Sequence, residues 1–467
     1  MTNKSLQAAC LCLAVLSCPL TPRAQEAPTA PLRLETAVDL AERNYPAMRA
    51  ARAQSDAARV GIDVARNTYL PRAEMNWQQT RGTRNNVFGQ FFPQPGISPI
   101  SGPALPNSSF VDSVWGSGGG LLVAWEPFDF GVRKAGVSLA NRVTDEAEAR
   151  ATMTQLDVAT AAADAFLRVV AAEQAVCAAR ANVERLEAFS ISVHVLVDNQ
   201  LRPGADASRT DAELAGARST LIQAKLQSAL GLVALAEAIG LAGQAIAIEP
   251  GPLVDFPPTP VPLAVTDFSA HPLVRLQRAA LDIITARQEV LDRSFFPRFS
   301  WQTTVFGRGS GALVDGGLRN DRGFFPDTPN WATGLTISFV PSDIFNLRLR
   351  RRQEAINLVA EKARYDQTLQ RVRAEEANAG ALTASANELA ENAPRQLQAA
   401  QETELRVRKR YEAELTTVTE VAEAHRLLAQ AEVEMALSRL ALWRARLAKA
   451  RATGDLKPFL DLLRQTR

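Results

Sequence analysis

Two stretches of this 467-residue chain repeat one another at fixed offsets, and no other feature limits its fold so strongly. Asn44-Tyr45-Pro46 opens the first stretch and Ala270-His271-Pro272 the second. At an offset of 226, Pro46, Arg49, Arg52, Ala53, Asp56, Pro71 and Arg72 pair with Pro272, Arg275, Arg278, Ala279, Asp282, Pro297 and Arg298. At an offset of 214, Gly120, Leu121, Pro127 and Asp129 pair with Gly334, Leu335, Pro341 and Asp343. The change of offset gives the first stretch a longer loop, 84–112 against 307–330.

Each copy has the same order: helix, strand, loop, strand, very long helix, break, helix. The first helix is expected from about Arg33 to Thr68, stopping ahead of Pro71. Ala73, Met75 and Trp77 then alternate with Glu74, Asn76 and Gln78, as a strand with one apolar face does. Leu121, Val123 and Trp125 alternate in the returning strand. The second copy repeats this in Phe299, Trp301 and Thr303, then in Leu335, Ile337 and Phe339. From about Phe130 to Asn199 there is no proline, so one helix of about 70 residues is expected, about 105 Å long. Arg202-Pro203-Gly204 breaks it, and a further helix follows to about Leu241. The second copy breaks near Tyr411 to Thr417. In each copy the two shorter helices together nearly match the long one, so they can stack end to end beside it. A globular domain has no use for helices of that length; a tube or hairpin crossing a wide space does. The segment 242–266 carries six prolines and reads as a linker or belt between copies 32–241 and 267–456, with a tail at 457–467.

Composition taken alone suggests a soluble protein: 46% hydrophobic residues and a mean hydropathy of −0.09. It excludes a bundle of membrane-spanning helices. It does not exclude a β-barrel, whose strands alternate and cancel in any mean. A net charge of +2 provides no electrostatic case for nucleic acid.

Residues 1–24 read as an export signal: Lys4, then an uncharged run from Ser5 to Thr21. Val15-Leu16-Ser17-Cys18 is similar to a lipobox, which would make Cys18 an acylated N-terminus; the Leu before Ser17 is atypical. Of the four cysteines only Cys177 lies outside this segment, so no disulfide framework is expected. Cys177 continues a stripe of Leu156, Ala159, Ala163, Phe166 and Val170 and is expected to be buried.

With its duplicated order, its helix-Pro-strand units ending at Pro71 and Pro297, and its strand ends Trp125-Glu126-Pro127-Phe128-Asp129-Phe130-Gly131 and Phe339-Val340-Pro341-Ser342-Asp343, the chain resembles the outer membrane efflux protein family, the TolC-like channels. The likeness covers about Leu32 to Leu456. It implies a mostly helical fold with a β-barrel portion. A homotrimer would share one outer membrane β-barrel, four strands from each copy, continued by a long periplasmic α-helical barrel. The strand count agrees, because four strands cannot close a barrel and open edges are not tolerated in lipid. Trp77, Trp115, Trp125, Trp301 and Trp331, five of the six tryptophans, fall in or beside the strands, as membrane-interface aromatics do.

The resemblance also implies an exit duct for an efflux or type I secretion system. Its partners would be a periplasmic adaptor, an inner membrane pump of the RND or ABC type and outer membrane lipid, with no cofactor and no nucleic acid. In the family, acidic residues after the second break line a periplasmic constriction, and a nearby Tyr helps to hold it closed. Those positions fall on Glu420, Glu423 and Tyr411, with Asp211 as the acid after the first break. Glu414 stands where the family often has Gly, and Thr416 where a gating Arg can lie. Arg202, Pro203, Gly204 and Glu414 would form the adaptor-docking tip.

No catalytic or metal constellation emerges. His194, His271 and His425 are far apart and lack ligand spacing, and no phosphate loop occurs. The run Arg348, Arg350, Arg351 and Arg352 after the last strand would lie at the periplasmic rim near lipid phosphates, pair with neighbouring acids, or form a solvated helix face. A periplasmic coiled-coil adaptor or scaffold without a barrel is the alternative from another class. The four Trp-bearing alternating segments argue against it. A secreted hydrolase is a third reading and lacks a nucleophile constellation.

Overall fold

The computed structural model describes residues 31–83, 111–258, 267–313, 317–319 and 321–465. The export segment with Cys18, most of loop 84–112 and residues 259–266 lie outside these. The order is α1 (Leu34–Asn44), α2 (Pro46–Asn67), β1 (Arg72–Thr83), β2 (Ser113–Phe128), α3 (Val132–Asp198), α4 (Gly204–Ala238), α5 (Pro272–Arg293), β3 (Arg298–Ser310), β4 (Thr328–Ser338), α6 (Asp343–Glu412), α7 (Val418–Thr453) and α8 (Lys457–Gln465).

The strands form one antiparallel sheet in the order β1-β2-β3-β4. Its two hairpins have one register: Ala73 faces Val123 in the first, and their repeat counterparts Phe299 and Ile337 face each other in the second. Pairing fixes which side chains share a face. One face collects Met75, Trp77, Leu121, Trp125, Phe299, Trp301, Val305, Trp331, Leu335 and Ile337. The other collects Glu74, Asn76, Gln78, Ser300, Gln302, Thr304, Asn330 and Thr336. All five expected tryptophans lie in strands, and most of the apolar face is exposed in the single chain. At the helix end of the sheet, Trp125 meets Trp301 at 6.5 Å and Phe130 stacks on Phe296 at 5.0 Å. At the other end, Trp115 meets Phe324 at 5.1 Å and Trp77 meets Phe325 at 6.5 Å. An apolar band bounded by aromatic girdles is how a strand surface meets lipid.

The long helices are as expected: α3 has 67 residues and α6 has 70, each about 100 Å long. Pro394 is accommodated inside α6. The first helix is not continuous. Pro46 forces Tyr45 into an extended conformation (φ −63°, ψ 129°), so α1 and α2 are separate. The repeat makes the same break at His271 (φ −61°, ψ 131°) ahead of Pro272. As a result, three helices accompany α3. The Arg59–Glu148 pair (2.8 Å) ties α2 to one end, and Arg218–Glu187 (2.7 Å) ties α4 to the other. Between them, Gln155 bonds Glu42 of α1 at 3.0 Å.

The main core lies at this midpoint. Val38 and Ala41 of α1, Ala162, Phe166 and Leu167 of α3, Leu235 of α4, and Trp443 and Leu447 of α7 are buried together. The C-terminal residues 457–465 form a helix, and Phe459 and Leu463 join this core. The described part of the Pro-rich segment lies against it. Trp443 Nε1 donates to the Asp255 carbonyl at 3.0 Å, Arg446 donates to that of Pro258 at 3.0 Å, and Arg439 sits over Phe256. Cys177 departs from expectation: it is exposed. Beyond Val170, α3 leaves the midpoint core and runs beside α4 and α7. Its buried face passes to Ala179, Val183 and Leu186, which turns Cys177 outward.

Trp443→Ala removes the largest fully buried side chain and the belt's indole bond together. It is expected to destabilise the fold by about 3–5 kcal/mol, to be read by thermal melting followed by far-UV circular dichroism.

Candidate functional site at the helix-hairpin tips

Both hairpins turn the same way. The α3–α4 turn places Gln200 in the left-handed region (φ 59°), and the α6–α7 turn places Glu414 there (φ 61°). These residues are 214 apart, the offset of the second strands. The closing bonds match as well: Leu201 N–H to the Leu196 carbonyl at 2.9 Å, and Leu415 N–H to that of Arg410 at 2.8 Å. A left-handed residue closes a helix by returning N–H groups to the last free carbonyls. Gly holds that position at least cost; here Gln and Glu hold it.

The turns pack side by side around Phe189, Val193, Tyr411, Val418 and Val421. Tyr411 is buried, with the Phe189 ring edge-on at 5.2 Å. The Arg202 guanidinium lies over the Tyr411 ring, 4.9 Å from its centroid. Burial pushes the Tyr411 phenol up, while Arg202 pulls it back. Thr416 is the repeat counterpart of Arg202. The second turn carries no arginine at Thr416, and Arg202 reaches Tyr411 from the first turn. The sequence reading placed Arg202 on the outer tip and missed this contact; the offset of 214, carried through the turns, points to it.

The acids expected at the constriction have partners other than Tyr411. Glu420, in the first turn of α7, accepts from the Thr416 hydroxyl. Glu423 is exposed and held by Arg426 through bonds of 2.6 and 3.1 Å, which lower its pKa. Asp211 lies on α4, bonded to His194 at 3.0 Å and to the Ser190 hydroxyl at 3.1 Å. These two bonds hold its carboxyl below the usual range. Pro203, Gly204 and Glu414 are exposed at the turns.

The Asp211 knot recurs with its acid moved from the short helix to the long one. Ser190, His194 and Asp211 become Glu404, Arg408 and His425 in the second copy. There Arg408 lies 3.6 Å from Glu404, and His425 is buried 4.0 Å from the same carboxylate. Burial pulls the His425 imidazole down to about 4, and Arg185 and Arg408 add to this. Arg408 is the cation that engages Glu404, and Glu432 engages Arg185 at 2.8 Å. The imidazole is neutral in the fold.

The family model described as outer membrane efflux protein matches residues 37–241 and 269–455, one segment for each copy of the repeat. At the level of whole sequences, no curated protein matches the chain. Three solved structures are similar in fold. The outer-membrane channel OprN is 22% identical over 90% of this chain and 89% of that one, with a TM-score of 0.69. The open state of the Neisseria gonorrhoeae MtrE outer membrane channel is 20% identical over 91% and 89%, at 0.70. The Campylobacter jejuni CmeC outer membrane channel is 14% identical over 93% and 89%, also at 0.70.

The depressed His425 pKa has a signed consequence. The unfolded chain, with a His pKa near 6.5, binds the proton first. The stability carried by the neutral imidazole is therefore complete above that value and lost as pH falls toward 4. Melting temperature is expected to fall between pH 7 and pH 4.5 more steeply in the native chain than in His425→Leu. Equal slopes would remove His425 from the account. Glu414→Gly is expected to stabilise the turn by about 1 kcal/mol, seen as a raised melting temperature.

Proposed function

The chain belongs to the outer membrane efflux protein family, and on that premise we propose how its parts build the exit duct of a tripartite efflux system. Three copies pair β4 of one with β1 of the next into a closed barrel of twelve strands in the outer membrane. The observation that carries this is the sheet itself: four strands, an apolar face exposed, and an unpaired edge on both β1 and β4. Each unpaired backbone group costs several kcal/mol in lipid, and closure removes the edges.

The repeat supports the same assembly below the membrane. Within one chain, α5 and α7 pack between α3 and α6. Their residues Ala286, Val290, Ala436, Leu440 and Leu447 are buried or half-buried. The first-copy counterparts Val60, Val64, Ile222, Leu226 and Val233 are exposed on α2 and α4. Leu349, Ile356, Val359, Leu382 and Leu389 are likewise exposed on α6. The neighbour's α2 and α4 would cover α6 as α5 and α7 cover α3, closing a ring of helices. In that ring the hairpin tips form the periplasmic end, where a coiled-coil adaptor docks on Arg202, Pro203, Gly204 and Glu414. Threefold copies of Glu420, Glu423 and Asp211 would place carboxylates about the opening and favour cations. Cargo is delivered by an inner membrane pump. The duct holds its tip closed by packing, with Arg202 on Tyr411 joining the two hairpins, and opens when the tips part.

Carrying the β2–β3 register across the repeat sets Ser338 opposite Asn76 of the neighbouring copy. Oxidising the double variant Asn76→Cys, Ser338→Cys is expected to yield covalent trimers on a non-reducing gel. In planar bilayers the detergent-purified protein should conduct, and Arg202→Ala should weaken the closed state by about 0.5–2 kcal/mol, raising the time spent conducting. A water-soluble monomer without conductance would defeat the duct reading.

A further inference from the structure

The two copies of the repeat differ where the sheet meets its long helix. In the first copy this corner is filled. Arg133 of α3 bonds Asp129 through its Nε at 2.9 Å, and its other nitrogens donate to the carbonyls of Thr68 and Glu126. The guanidinium also lies 4.9 Å from the Tyr69 ring centroid, and Trp125 Nε1 bonds the Tyr69 carbonyl at 3.0 Å. In the second copy the counterparts are Leu347 for Arg133, Phe295 for Tyr69, Phe339 for Trp125 and Val340 for Glu126. Asp129 survives as Asp343. The polar plug is gone.

What remains is a recess of about 590 Å³. Its walls mix apolar and polar surface: Phe296, Phe339, Val340 and Leu347 on one hand, Ser294, Ser338 and Asn346 on the other. Arg298 and Arg350 stand at its rim with Asp343. Both arginines are exposed, and among the described residues neither makes an ion pair. Arg351, one position on, is already engaged by Asp292 at 2.8 Å. The recess sits beside the inner aromatic girdle, where β3 and β4 end and α5 and α6 enter water. That level holds phospholipid headgroups in a bilayer. A guanidinium pair matches a phosphate in charge and in donor geometry. The nearby carboxylate disfavours a purely anionic headgroup and matches an ammonium. The apolar part of the lining, Phe339 with Val340, matches a stretch of acyl chain, whose burial contributes about 0.8 kcal/mol per methylene.

We propose that this recess is a binding site for a phospholipid of the ethanolamine class. Its phosphate lies between Arg298 and Arg350, its ammonium at Asp343, and one acyl chain along Phe339 and Val340. Each copy of the chain carries one site. The lipid takes the place that Arg133 and Tyr69 fill in the first copy, and it anchors the rim of the barrel to the inner leaflet. The inference rests on the outer membrane reading above.

The test is native mass spectrometry of the detergent-purified, delipidated full chain titrated with phosphatidylethanolamine or phosphatidylglycerol. The native protein should retain up to one phosphatidylethanolamine per copy in preference to phosphatidylglycerol. Arg298→Ala with Arg350→Ala should weaken that retention about tenfold or more. Leu347→Arg restores the first copy's plug against Asp343 and should abolish retention while keeping the fold. Asp343→Asn should remove the preference between the two lipids. Equal adducts in the native protein and both arginine variants would overturn the site, as would a preference for phosphatidylglycerol. An absence of adducts, with the neighbouring copy occupying the recess, would also overturn it. The mass of three copies and the bilayer conductance report the assembly separately, so this site can fail while the duct stands.

Discussion

The backbone of an edge strand in lipid has nowhere to send its hydrogen bonds, and the rest of the molecule follows from that constraint. The described residues of one chain supply four strands, too few to close, with an apolar face that water does not suit. The free edges of β1 and β4 are therefore the demand that the proposed ring of copies answers. The register of that sheet is well specified. A one-residue slip would exchange Trp77, Leu335 and Ile337 for Asn76, Gly334 and Thr336 on the lipid side. The long helices are the continuation of the same closed form into water, which explains why α3 and α6 exceed any length a globular core would use.

Duplication makes one set of contacts serve twice. The packing of α5 and α7 between α3 and α6 within one chain is the pattern for the contact between chains, and the exposed stripes on α2, α4 and α6 are its unmatched halves. The places where the two copies have diverged are then informative. Arg202 against Thr416 gives the tip a cation on one side only, and it reaches across to Tyr411. Asp211 with His194, against His425 with Glu404 and Arg408, moves the acid from the short helix to the long one in the matched knots just inside the two tips. Arg133 against Leu347 closes one corner of the sheet and opens the other. In each case the backbone is kept and the side-chain chemistry changes, which is how a repeat acquires distinct sites on equivalent positions.

The sequence by itself determined the duplication, the four alternating strands, the two long helices and the positions of the hairpin turns. These rest on periodicity, proline and identity at a fixed offset, all of them local or translational signals. It also located Tyr411, Glu420, Glu423 and Asp211 near the tips, because a break in a helix can be counted along the chain. It went astray at Tyr45, where the proline at position 46 outweighs helical periodicity, and at Cys177, where a stripe extended by spacing alone ignored the change of neighbours along α3. Only the tertiary structure decided which side chains meet: Arg202 on Tyr411, His425 buried beside Arg408, Trp443 bonded to the Pro-rich segment, and the recess left where Leu347 replaces an arginine. The reason is physical. Secondary structure is set by preferences that act over a few residues, whereas each of these contacts joins segments far apart in the chain and exists only once two helices, or a helix and a sheet, have been packed at a particular angle and register.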